Sequence, residues 1–138
     1  MGTVLDHGST VPWYGQACSG VLPQEYKYTG AGDLEPTATN LVSAFNALYY
    51  RALYHQLTHL ASTPVSVSGS AGWEARFLVT YPYAASQHLA WNSETAAVIV
   101  IDRGAGIPPA VFYVSVPDSL PGTDVDLLIN SLRLRSTS

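Results

Sequence analysis

The stretch TAAVIVID, residues 95–102, decides how the rest of the chain must be arranged. It is apolar at successive positions, so a strand formed here is apolar on both faces. Such a strand belongs in the middle of a sheet. Outward from it, the loop Arg103-Gly104-Ala105-Gly106-Ile107-Pro108 leads into residues 110–116 (AVFYVSV), a second strand. On the other side, residues 73–81 (WEARFLVTY) alternate Trp73, Ala75, Phe77 and Val79 with Glu74, Arg76, Leu78 and Thr80. That period of two is a strand with two unlike faces. Residues 64–68 read as a shorter strand, and Gly69-Ser70-Ala71-Gly72 as the turn between them. Residues 82–93 form a polar connection that carries aromatic side chains.

A sheet of this kind needs a cover. Between Pro36 and Pro64 there is neither glycine nor proline, and Asp33 or Thr37 can cap a helix start. Ala38, Leu41, Phe45, Leu48, Tyr49, Ala52, Leu57 and Leu60 recur at three- and four-residue steps, which predicts one amphipathic helix over residues 36–60. Its polar side carries Asn40, Ser43, Asn46, Arg51, His55, Thr58 and His59. A second, short helix is expected over residues 124–130, capped by Thr123 or Asp124, with residues 131–135 closing the chain as a small strand or extended tail. Strands joined in sequence by tight loops pair antiparallel, and helices set apart from such a sheet make the fold class α+β. Residues 34–138 are expected to be one domain. Residues 1–33 read as an irregular arm, with one short strand at residues 25–29 and with Trp13, Tyr14, Tyr26 and Tyr28 packing on the domain.

Composition narrows the function. Charged residues make up 12% of the 138, about half the usual share. The net charge is −4 with Lys27 as the single lysine, so no basic stripe is available to a phosphate backbone, and nucleic acid is not an expected partner. No apolar run reaches the length of a membrane span. MGTVLDHGSTVPWYG has neither the basic nor the apolar segment of a signal peptide. The single cysteine, Cys18, reads as an inert, buried or half-buried thiol.

His55 and His59 have the spacing of the zinc-protease H-E-x-x-H pair, but the general base position holds Gln56, and only His7 and His88 remain as further histidines. A solvated polar helix face is the stronger reading, with no metal and no cofactor expected. Ser115, His88 and Asp102 supply the letters of a catalytic triad without any local signature. Gly104-Ala105-Gly106 stops short of a dinucleotide fingerprint because Pro109 stands where the third glycine belongs. No catalytic residue is assigned. The remaining candidates are aromatic: Tyr50, Tyr54, Tyr83 and Trp91 are expected to form a recognition surface.

Residues 64–134 also carry a resemblance. PVSVSGSAGWEARFLVTY, then AAVIVIDRG, then PAVFYVSVPD and a short helix running into SLRL resemble the Mog1/PsbP-like domains of actinobacterial exported proteins, including LpqN-type lipoproteins. The resemblance implies an α/β/α sandwich around an antiparallel sheet and an extracytoplasmic or cell-envelope location. Contact with a membrane would come only through a segment outside these residues. The family's opening hairpin is not evident in residues 1–33. The expected function is a non-enzymatic binding or interaction domain with a protein partner. A small-molecule or lipid module, with a pocket lined by Phe45, Tyr49, Phe77 and Trp73, is the alternative. Sheet edges and a surface poor in charge also favour self-association.

Overall fold

The computed structural model describes residues 2–6, 9–13, 16–120 and 124–135, with side chains from residue 16 onward. It is an α+β sandwich. Strands β1 (Gly2–Asp6) and β2 (Ser9–Trp13) pair as a separate antiparallel hairpin. The main sheet is built from β3 (Gln16–Val21), β4 (Gln56–Val67), β5 (Ser70–Thr80), β6 (Ser93–Ile101) and β7 (Ala110–Pro117), in the order β3-β7-β6-β5-β4 with every pair antiparallel. Helix α1 (Leu34–Tyr50) covers one face and helix α2 (Asp124–Asn130) the other.

The central strand is β6, and residues 96–101 are buried on both sides of the sheet. Ala96, Val98 and Val100 point to α1, where they meet Leu34, Ala38, Leu41 and Val42. Ala97 packs on the other face with Val114, Val116 and Val125, and Ile99 and Ile101 with Val67. On β5, Ala75, Phe77 and Val79 share the α1 side, while Arg76 on the reverse side reaches Asp126 of α2 at 2.7 Å. Each layer is thus held by the period-two alternation of the strands it covers.

The long helix is shorter than its periodicity predicts. It begins near the expected start but ends at Tyr50, and residues 56–60, expected as its last turns, open the long strand β4. His55 helps to end it: its Nε2 pairs with Asn46 Oδ1 at 2.8 Å and its Nδ1 with the Leu53 carbonyl at 2.7 Å. β4 then pairs along β5 from Gln56 opposite Thr80 to Val67 opposite Ser70. The turn between them is tighter than the predicted four-residue one. Ser68 and Gly69 have φ of 51° and 79°, the positive values a two-residue hairpin turn requires. Gly72 therefore lies inside β5, where its Cα faces the Val100 carbonyl too closely for a side chain.

The arm also differs from expectation. Residues 16–21, which look irregular in sequence, pair with β7 and complete the sheet. Residues 25–29 are not a strand: Gln24–Tyr26 is a 3-10 turn, followed by Lys27 at φ 51°. The packing expected of Trp13 and Tyr14, the His7 side chain and the Thr123 cap lie outside the described residues. Residues 132–135 belong to no helix or strand, and the Leu134 N–H donates to Ser68 Oγ at 3.0 Å.

Candidate binding surface

Helix α1 and edge strand β3 do not close fully against one another. Between them runs a groove of about 320 Å³, floored by Val111 and Tyr113 of β7 and walled by Leu41, Phe45 and Leu48 of α1. That volume is at the lower end of the range of small-ligand sites. The Tyr113 ring is fixed by stacking, with Phe45 at 4.6 Å and Tyr49 at 5.1 Å between centroids. Cys18 lies at the groove on β3, exposed, with its Sγ 3.8 Å from the Tyr49 hydroxyl. Among the described residues Glu25 is the only charged one that lines it. The alternative pocket read from the sequence is placed differently: Phe45 does line this groove, but Phe77 is wholly buried in the core and Trp73 packs at its margin.

Beneath the groove the core turns polar. Glu94 is fully buried, and the Tyr81 hydroxyl donates to its Oε2 at 2.7 Å. The hydroxyls of Tyr50 and Tyr113 are hydrogen-bonded to each other, and Tyr50 also donates to Ser115 Oγ at 3.4 Å. Burial, with the Glu94 carboxylate nearby, pushes the Tyr50 hydroxyl up to about 12. Burial first, then Glu94, also raises Tyr81 well above the ordinary range, and burial with Tyr50 raises Tyr113. These hydroxyls stay protonated, and that of Tyr81 donates to the buried Glu94 carboxyl.

The four aromatic residues expected on a recognition surface divide into two pairs. Tyr54 and Tyr83 are exposed and meet with ring centroids 5.2 Å apart. Tyr50 and Trp91 are core residues at 3% and 2% exposure, both packed against Tyr81. The spacing of aromatic residues along the chain carries no signal for this division, because it depends on where α1 stops.

The reactive patterns are also separated. His55 sits in the turn after α1 and His59 on exposed β4, so they no longer share a helix face. Asp102 follows the far end of β6 from His88, roughly 25 Å of strand away at 3.3 Å per residue, and Ser115 is buried against Tyr50. Asp102 instead accepts from the Tyr28 hydroxyl at 2.6 Å and from the Gly104 N–H at 2.7 Å, which fastens the 3-10 segment to the β6–β7 loop. Among the described residues no three His, Cys, Asp or Glu side chains converge as a metal site.

A third feature is invisible in the sequence. On the α2 side of β3 a pocket of about 260 Å³ is lined by Val21, Phe112 and Leu132 together with Arg103, Arg133 and Arg135. No protein-family model and no curated protein matches this chain.

Proposed function

We propose that this chain is a non-enzymatic binding domain of the Mog1/PsbP-like kind, working outside the cytoplasm, that takes an apolar group into the α1/β3 groove. The observation that carries the reading is the groove itself: about 320 Å³, walled almost entirely by apolar side chains and floored by an aromatic ring held in place by two others. A fixed apolar concavity loses little order when it is filled. The Mog1/PsbP-like reading is supported by the antiparallel sheet between one long and one short helix, and by the β1–β2 hairpin ahead of it.

The test uses a neutral apolar dye, N-phenylnaphthylamine, and the native Cys18 thiol. Dye fluorescence should rise on mixing, and the dye should slow alkylation of Cys18 by iodoacetamide. Ala44→Trp, on an exposed helix position that lines the groove, should abolish both effects. Dye binding that is indifferent to Ala44→Trp would remove the groove from consideration. A second reading, recognition through the exposed Tyr54–Tyr83 pair, is favoured by the contact between those rings in a surface poor in charge.

A further inference from the structure

The groove and the arginine pocket lie on opposite faces of the same strand, and among the described residues that strand is the edge of the main sheet. Leu22 N–H donates to the Pro109 carbonyl at 2.9 Å, which sets the parity of the ladder between β3 and β7. Gln16, Cys18 and Gly20 turn their backbone groups toward β7, and Ala17, Ser19 and Val21 turn theirs outward. Among the described residues nothing pairs with the outward groups, because β1 and β2 form a sheet of their own.

The edge is also unguarded. Natural edge strands are blunted by charges, proline or bulges. The opposite edge, β4, has a register break between His59 and Ala61 and carries Pro64. β3, with the sequence QACSGV, has no charge, no proline and no break in its register with β7.

Building on the binding reading above, we propose that β3 is a docking edge for an extended segment of a partner protein. The segment adds as a sixth strand on Ala17, Ser19 and Val21. It inserts apolar side chains into the α1/β3 groove and presents an acidic side chain on the α2 face to Arg103, Arg133 and Arg135. Strand addition takes affinity from main-chain hydrogen bonds and specificity from pockets that receive alternate side chains, and here a pocket lies on each side of the edge. Charge decides the occupant. Three of the five arginines of a chain with net charge −4 line the α2-side pocket, and among the described residues no acidic one lines it. A lipid tail would fill the groove and leave both the arginines and the strand edge unused. A second copy paired β3 to β3 would bring two arginine clusters side by side, with no acid on β3 to offset them.

The experiment is a phage selection of short random peptides on the intact domain, with the Ser19→Pro domain as counter-target. Ser19 turns its N–H outward, so proline there removes a docking donor without breaking the ladder to β7. Thermal unfolding by circular dichroism checks that this variant folds. The expected result is a set of peptides with alternating apolar residues and an acid at one fixed position. A synthetic representative should bind Ser19→Pro about tenfold or more weakly, lose affinity on Arg103→Glu, and be unaffected by Ser62→Pro on β4. Failure to enrich such peptides, or equal binding to Ser19→Pro, overturns the proposal. So does a dimer in light scattering that Ser19→Pro dissolves, since the occupant would then be a second copy. If dye binding still depends on Ala44 while peptides fail, the groove reading survives and the strand-docking reading falls.

Discussion

Tyr81 and Glu94 form a hydrogen bond of 2.7 Å at a place where the carboxylate is wholly shut off from water. A buried acceptor in such a site depends on its donors, and removing one leaves its desolvation uncompensated. Tyr81→Phe keeps the ring against Tyr50 and Trp91 and deletes only the hydroxyl. It should cost about 1.5–3 kcal/mol in urea unfolding. A loss below half a kcal/mol would show that Glu94 does not rely on this bond.

The same cluster makes the protein sensitive to alkali. An unfolded tyrosine ionises near 10.0, whereas Tyr50 in the fold holds its proton up to about 12. The folded state therefore binds more protons than the unfolded chain above pH 10, and stability must fall as pH rises through that window. Below about pH 10 the contribution is complete, and Tyr50 alone accounts for roughly 2–3 kcal/mol lost by pH 12. Tyr81 and Tyr113, raised in the same direction, steepen the decline. Urea midpoints followed together with phenolate absorbance should show unfolding and ionisation arriving together. Early phenolate without loss of stability would contradict this.

Arg76 ties the α2 side of the sheet to its helix. It bonds Glu74 Oε1 and Asp126 Oδ1 at 2.8 and 2.7 Å, but the two partners differ in exposure, at 10% and 57% of their side-chain surface. The nearly buried Glu74 should decide the energetics. Arg76→Ala is expected to destabilise by about 2 kcal/mol, and Asp126→Ala by under about 1 kcal/mol with most of its effect removed by salt. Chemical denaturation at low and high ionic strength separates the two. Equal losses would mean that Glu74 finds other compensation.

Gly72 is a packing glycine on β5. A Cβ there would lie 2.9 Å from the Val100 carbonyl oxygen and 3.1 Å from a Val65 methyl. Backbone cannot retreat as a side chain tip can, so Gly72→Ala should cost about 1–3 kcal/mol, read as a lower thermal midpoint. An unchanged midpoint would imply that β5 and β6 slide apart freely.

The two aromatic pairs make opposite predictions. Tyr54→Ala and Tyr83→Ala remove exposed rings and should stay within about 0.5–1 kcal/mol of the parent. Trp91→Ala opens a cavity in the core and should cost about 3–5 kcal/mol. Denaturant midpoints of the three variants suffice, and a severe loss at Tyr83 would mean that the connection 82–92 is anchored by its ring.

Much of the main sheet was legible because burial leaves its mark on strand sequence. TAAVIVID could only be central, and β5 showed its two faces through alternation. The end of α1 was not legible. Leu57 and Leu60 continue the helical spacing, and the signal that stops the helix is His55 reaching back to Asn46, a contact only the fold supplies. What draws residues 56–67 into a strand is the long partner β5, which would otherwise be an open edge. β3 was hidden for a related reason: Ala17, Ser19 and Gly20 have weak strand preference, and it is the unpaired side of β7 that recruits them. The candidate surface was not legible: nothing in the sequence separates exposed Tyr54 and Tyr83 from buried Tyr50 and Trp91, and the arginine pocket gathers residues from the β6–β7 loop and the tail that no local pattern connects.

The pairing of Gln16 with Ser115 joins positions roughly a hundred residues apart, near the two ends of the chain. Contacts of that span are entropically the slowest to close, so the hairpins β4–β5, β5–β6 and β6–β7 can form before the first main-sheet strand finds its place. Until it does, β7 stands as a bare edge. During synthesis on the ribosome β3 emerges early and must wait for nearly the whole domain, which makes its docking the natural closing event of folding.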